Sequence, residues 1–100
     1  MRLVSWKSLR KNSLLGFAAI ELPIGLRVHD IPVLASHNKI WASLPGKPQL
    51  EGGQHRKDIN GKLQYTPILE WRDRDLSDRF SQAVVELVRA EYPDDLDGAP

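Results

Sequence analysis

Basic residues stand close together in a segment that has almost no apolar content. The segment runs from Gly46 to Lys62 and also contains Lys47, Arg56 and Lys57. Cations on a polar, extended segment reach the phosphates of a nucleic acid without being buried, and each phosphate that they neutralise releases counterions. Lys47, Arg56, Lys57 and Lys62 are therefore the first candidates for phosphate contacts. A solvated loop with no ligand is the simpler interpretation of the same composition.

Further candidates lie on predicted strands. Arg27 and Lys39 are second-rank candidates for phosphate contacts. Trp41 shares a predicted strand face with Lys39, so it is a candidate platform on which a base stacks. Trp6 and Tyr65 are also candidates for stacking, although the tryptophans of a small β protein more often pack in a core or a dimer interface.

A metal site or a hydrolase centre would have to use histidines and carboxylates. The adjacent His29 and Asp30 are the first such pair, but neighbouring residues of a regular strand point to opposite faces. The two other histidines, His37 and His55, form no helical His-x-x-x-His pair, and no nucleophile elbow or phosphate-cradling glycine loop is present. We expect no metal, no cofactor and no catalysis. A metal-dependent hydrolase is the remaining enzyme hypothesis.

Composition places the chain among globular proteins, with 41% hydrophobic and 27% charged residues. Its 100 residues predict a single domain over residues 1–93, followed by an acidic tail over residues 94–100. The absence of cysteine excludes disulfides and thiolate chemistry. No apolar run is long enough for a membrane span or a signal peptide, so we expect a cytoplasmic location.

The net charge of +1 conceals an asymmetry along the chain. Residues 1–65 carry ten Lys/Arg and four Asp/Glu, a net charge of +6, whereas residues 66–100 carry four and nine, a net charge of −5. If these halves become separate surfaces, the basic one attracts phosphates.

Alternating apolar residues predict four strands in a meander, over residues 2–9, 14–22, 26–35 and 39–44. In the third strand the two-residue period slips by one at residues 29 and 30, which predicts a bulge there. Residues 46–62 are predicted to form a long loop or an extended β-arm. Asn60-Gly61 predicts a tight turn, and a fifth strand over residues 63–68 would lie at a sheet edge.

Residues 73–91 predict a helix. Its apolar residues recur at spacings of three and four, and Asp73 or Asp75 can cap its first turn. Tyr92-Pro93 ends it.

The predicted fold is α+β, with an antiparallel sheet of four to five strands followed by one C-terminal helix. One helix covers only part of one sheet face, so we expect a homodimer. The predicted apolar stripe contains Leu76, Phe80, Ala83, Val84, Leu87 and Val88.

Two strand motifs are similar to those of a known family. The segments VHDIPV, from Val28 to Val33, and IWASLPGK, from Ile40 to Lys47, resemble the bacterial SpoVG family (stage V sporulation protein G, septation regulators). In that family a V-H-D-(I/V)-x-V strand precedes a G-L-F-V-A-M-P-S-K strand. The likeness covers about residues 3–92. It implies a dimeric nucleic-acid-binding protein that regulates transcription or cell division without catalysis.

The family's basic segment after the second motif ends in R-D-x-x-x-P-I. Its counterparts here are residues 56–58, read RKD, and Pro67-Ile68. This chain departs from the family at Pro48, where a basic residue stands in the family, and in its longer loop. These departures affect sequence preference more than general binding.

Two other functions fit the same residues. One is a single-stranded-DNA-binding module of the transcriptional-coactivator type, in which the sheets of a dimer grip unpaired strands. The other is a protein-interaction domain that uses the hairpin edge or the acidic helix face and binds no nucleic acid. Strand preference separates the first from a duplex-binding regulator, and partner capture that is insensitive to salt would indicate the second.

Overall fold

The computed structural model describes residues 1–61 and 64–96 as a two-layer α+β fold with a separate β-arm. One layer is a four-stranded antiparallel sheet with the strand order β1-β2-β3-β4, so the predicted meander is confirmed. Helix α1 packs on one face of the sheet and forms the second layer. The strands of the sheet are β1 (Arg2–Lys11), β2 (Leu14–Glu21), β3 (Arg27–Ser36) and β4 (Lys39–Ala42).

Short turns join the strands where the sequence predicts them. His37 and Asn38 connect β3 to β4 with φ angles of 51° and 64°, as a two-residue hairpin turn requires. Between β2 and β3, the Gly25 N–H donates a 2.8 Å hydrogen bond to the Leu22 carbonyl. Gly25 has a φ of 91°, which a residue with a side chain rarely adopts.

Strand β3 carries the bulge predicted at residues 29 and 30. Ile20 pairs with Val28 and Ala18 pairs with Ile31, so two residues of β3 lie opposite one residue of β2. Asp30, inside the bulge, has a φ of 55°. The extra residue keeps both Val28 and Ile31 in the core, where they are 7% and 0% exposed.

Helix α1 spans Arg74–Glu91, in agreement with the prediction. The Asp73 side chain caps it by accepting a 3.0 Å hydrogen bond from the Leu76 N–H. At the other end, the Tyr92 N–H donates to the Val88 carbonyl and closes the last turn. No helix in the described residues combines the length and apolar character that a bilayer crossing demands.

The buried side of α1 is rotated relative to the predicted stripe. Val85 is buried although the stripe omits it, whereas Leu76 and Ala83 are only partly buried. The rotation brings α1 against β4, where Ser81 Oγ accepts a 2.8 Å hydrogen bond from the Ala42 N–H. The buried residues of α1 are Phe80, Val84, Val85 and Val88.

Residues 46–61 and 64–67, which follow β4, form what we call the arm. Strand β5 (Gly46–Pro48) pairs with β8 (Tyr65–Pro67), and β6 (Leu50–Glu51) pairs with β7 (Gln54–His55). The predicted fifth strand therefore exists as β8, but its predicted place at the edge of the sheet is wrong. The polar segment between β5 and β8 folds back on itself, so β8 meets β5 and not the sheet. Lys62 and Leu63 lie outside the described residues.

A short helix, α2 (Pro93–Leu96), follows α1. Leu96 is 1% exposed and belongs to the core. Asp95 Oδ2 accepts a 2.8 Å hydrogen bond from Trp6 Nε1, and Arg10 donates to the Asp95 carbonyl at 2.6 Å. Residues 94–96, which the sequence assigns to an acidic tail, thus pack against β1. Residues 97–100 lie outside the described part of the chain.

Candidate nucleic-acid interface

The arm carries three of the four cations that the sequence singles out for phosphate contacts. Lys47 lies on β5, and Arg56 and Lys57 follow β7. All three residues are exposed. Among the described residues, Lys47 and Lys57 form no ion pair, so their charges are available to a ligand. The fourth candidate, Lys62, lies outside the described residues.

Backbone hydrogen bonds determine the shape of the arm. The Arg56 N–H donates to the Gln49 carbonyl at 2.7 Å, and the Gln64 N–H donates to the Arg56 carbonyl at 2.8 Å. Three stretches of chain therefore meet at Arg56. The Asp58 side chain accepts a 2.8 Å hydrogen bond from the Asn60 N–H, within the tight turn that the sequence predicts. These contacts position Lys57 between two turns of the arm.

The second candidate surface is the face of the four-stranded sheet that points away from α1, which we call the outer face. Ala18 pairs with Ile31, and both are buried under α1. The neighbouring pair, Phe17 and Pro32, therefore points the opposite way. By the same register, the outer face contains Arg2, Ser5, Lys7, Lys11, Leu14, Phe17, Ala19, Glu21, Arg27, Pro32, Leu34, Ser36, Lys39 and Trp41.

Lysines stand beside both aromatic residues of the outer face. Lys7 pairs directly with Phe17 across β1 and β2. Lys39 precedes Trp41 by two residues on β4, so the two side chains share a face. Lys7 and Lys39 are exposed, and neither they nor Lys11 form an ion pair within the described part of the chain.

Glu21 lies between two arginines at one end of the outer face. Arg27 Nε lies 2.9 Å from Glu21 Oε1, and Arg2 Nε lies 3.2 Å from Glu21 Oε2. The hydrogen bond from Arg27, and then that from Arg2, lowers the pKa of Glu21 below its ordinary value. Glu21 is therefore ionised at neutral pH. Arg27, a candidate phosphate contact, already has a carboxylate partner and is less available than the lysines.

The tryptophans and Tyr65 occupy different environments. Trp41 is partly exposed on the outer face, which agrees with its predicted place beside Lys39. Trp6 packs against the core, and Trp71 packs on Phe80 with a centroid distance of 5.2 Å. Tyr65 lies on the arm and is 52% exposed. Trp41 is therefore the tryptophan best placed to meet a ligand.

The helical layer carries the opposite charge. Residues 73–96 contain seven Asp/Glu and three Lys/Arg, a net charge of −4. Two of these arginines are paired along α1, Arg74 with Asp78 and Arg79 with Asp75. The charge asymmetry of the sequence thus becomes a spatial one, with a basic outer face on one side of the sheet and an acidic helical layer on the other.

Histidine and carboxylate side chains form no group of three or more with metal-binding geometry in the described part of the chain. His29 and Asp30 lie in the bulge of β3, and both residues are exposed. A metal-dependent hydrolase on this pair has no further ligand within residues 1–61 and 64–96.

The sequence patterns do not single out Phe17, Lys7 or Lys11 as candidate ligand contacts. Alternation along a single strand shows which residues share a face, but the cross-strand pairing decides which lysine meets which ring. The register of β1, β2 and β3 shifts at four places. After each shift, the strand that carries the extra residue presents its side chains on the face opposite to the one that unbroken alternation would give.

Comparisons of the chain with protein-family models, with curated proteins and with solved structures found no match.

Proposed function

We propose that the protein binds nucleic acid and acts as a regulator by occupying DNA or RNA, without performing chemistry. The observation that carries this proposal is the separation of charge. Lysines that form no ion pair within residues 1–61 and 64–96 lie on the arm and on the outer face, whereas the helical layer has a net negative charge. A surface of this kind attracts a polyanion and directs its approach.

In this proposal the arm contacts phosphates through Lys47, Arg56 and Lys57, with Lys62 as a fourth contact. Exposed cations on a self-paired ribbon reach a phosphate backbone without desolvating their charges, so binding gains counterion release at little cost. The resemblance of residues 28–33 and 40–47 to the SpoVG motifs supports a role in transcription or cell division.

Charge reversal on the arm tests this function. Lys47→Glu combined with Lys57→Glu removes two phosphate contacts and adds two repulsive charges. We expect at least about a tenfold loss of affinity at low salt and a salt slope reduced by about two. The measurement is fluorescence anisotropy of labelled single-stranded DNA, duplex DNA and single-stranded RNA at two salt concentrations. The melting temperature should not change, because both lysines are exposed.

The matched control is Arg74→Glu combined with Arg79→Glu, which makes the same change in net charge on α1. An equal loss in the two variants would show a general charge effect, and the arm would not be the site. If the wild-type protein binds none of the three probes at low salt, the proposed function is wrong. The protein-interaction hypothesis would then take its place.

We also propose that the protein is a homodimer. Leu50 and Ile59 on the arm and Ile68 directly after it are large apolar side chains that the described residues leave 69%, 100% and 68% exposed. A second subunit would bury them, and two arms on one nucleic acid would raise the overall affinity. Sedimentation equilibrium at micromolar concentration should give twice the chain mass of 11.3 kDa. A mass near 11.3 kDa would exclude the dimer.

A further inference from the structure

We propose that the outer face binds the unpaired bases of a single-stranded nucleic acid, with Phe17 and Trp41 as stacking surfaces and Lys7, Lys11 and Lys39 as phosphate contacts. This inference rests on the proposed function, because the ligand is again a nucleic acid. It assigns the bases to a surface distinct from the arm, and it names the strandedness of the ligand.

The two rings are spaced for separate bases. Phe17 on β2 pairs with Pro32, and Trp41 on β4 pairs with Leu34, two residues further along β3. The rings are thus two strand spacings apart across the sheet, roughly 10 Å, and two residues apart along it, roughly 7 Å. Pro32 and Leu34 lie between them and are partly exposed. The result is a continuous apolar floor with an aromatic ring near each end.

The lysines lie where the phosphates of a bound strand would pass. Lys7 is the cross-strand neighbour of Phe17, and Lys39 lies on the same face of β4 as Trp41. Lys11 pairs with Leu14 next to the turn that joins β1 to β2. Since these three lysines form no ion pair in the described residues, a ligand phosphate breaks no existing contact.

An unpaired strand suits this surface better than a duplex. A duplex keeps the faces of its bases inside its own stack and presents mainly phosphates, so it gains nothing from an apolar aromatic floor. An unpaired strand exposes base faces, and stacking on an aromatic ring is tolerant of sequence. The combination of rings with adjacent lysines therefore favours single-stranded nucleic acid.

A second copy of the chain is a poorer occupant of the outer face. Two outer faces brought together would oppose five cations to five cations, and Glu21, which could offset them, is already held between Arg2 and Arg27. The acidic helical layer of a neighbouring copy would match the charge. That contact is head-to-tail, however, and leads to open filaments unless a ring closes.

The test uses the full chain and a fluorescein-labelled oligothymidylate. Phe17→Leu combined with Trp41→Leu keeps apolar side chains at both positions and removes the rings. We expect a loss of affinity of about tenfold or more for the oligothymidylate, and no change for duplex DNA. The control, Tyr92→Leu, removes a 41% exposed aromatic ring at the end of α1, in the acidic helical layer, and should leave the affinity for oligothymidylate unchanged.

A second pair of variants tests the inference if Phe17→Leu combined with Trp41→Leu does not fold. Lys7→Ala combined with Lys39→Ala should weaken oligothymidylate binding, whereas Arg74→Ala combined with Arg79→Ala, with the same change in charge, should not. The inference is overturned if Phe17→Leu combined with Trp41→Leu folds and binds oligothymidylate as tightly as the wild type. It is also overturned if the lysine-to-alanine variant and the arginine-to-alanine variant lose the same affinity. If the inference fails but Lys47→Glu combined with Lys57→Glu still weakens binding, the proposed function stands. If the wild-type protein binds none of the probes, both the proposed function and this inference are wrong. If the leucine variant instead dissociates a dimer, the outer face is a subunit interface and the inference fails.

Discussion

Leu96→Ala is expected to lower the free energy of unfolding by about 2–5 kcal/mol, a large share of the total for a domain of this size. Leu96 is 1% exposed and fills a space against α1 and the sheet, so its truncation leaves a cavity. The loss should also release α2 from β1, because Leu96 holds in place the residue whose carboxylate accepts a hydrogen bond from Trp6. Urea unfolding followed by tryptophan fluorescence measures both effects.

The control for this substitution is Leu50→Ala. Leu50 is 69% exposed on the arm, so the same truncation should change the free energy of unfolding by less than about 0.5 kcal/mol. If Leu96→Ala and Leu50→Ala have equal effects, residues 93–96 do not pack against the sheet in solution, and the acidic tail extends from residue 94 as the sequence predicts.

Gly16→Ala is the second substitution for which we expect a large loss of stability. An alanine Cβ at this position would overlap the Lys7 carbonyl oxygen and lie 2.8 Å from Trp6 Cζ2 and Cη2. The carbonyl belongs to the backbone of β1, so relief requires β1 to move away from β2. Overpacking of this kind costs about 1–3 kcal/mol or more, which corresponds to a fall in melting temperature of at least about 4–8 °C.

A double-mutant cycle separates the two contacts of Gly16. In a Trp6→Leu background the ring is gone, so Gly16→Ala should cost less than it does in the wild type, and the remaining cost reports the Lys7 carbonyl. Thermal unfolding followed by circular dichroism supplies the four melting temperatures. An unchanged melting temperature for Gly16→Ala in the wild-type background would mean that β1 and β2 are not as close as their register indicates.

Features encoded by neighbouring residues could be predicted from the sequence. The turn at residues 37 and 38 combines residue types that tolerate positive φ, and the bulge at residues 29 and 30 follows from one slip in a two-residue period. The cap at Asp73 likewise depends on a residue three positions away. In each case the residues that cause the feature are close together in the sequence, so the sequence predicts the feature directly.

Features that depend on distant residues could not be predicted in the same way. Strand β8 has a strand-like pattern, but whether it pairs with β5 or with the sheet depends on how residues 49–64 fold between them. Leu96 is a single apolar residue among acidic ones, and its burial requires α1 and the sheet to be packed together. The outer face depends on the register of three strands, so Phe17 and Lys7 come together only in the folded sheet.

The hydrogen bond from Ala42 to Ser81 has a consequence for self-association. It occupies an outward-pointing N–H of β4, and α1 covers this border of the sheet, which protects it from pairing with another chain. In the described residues β1 pairs only with β2, so its ten residues form the open border. Lysines and arginines along β1 repel a second β1, as gatekeeper residues do in proteins that resist aggregation. The charges that we propose as contacts for a polyanion therefore also keep this sheet from growing into a larger one.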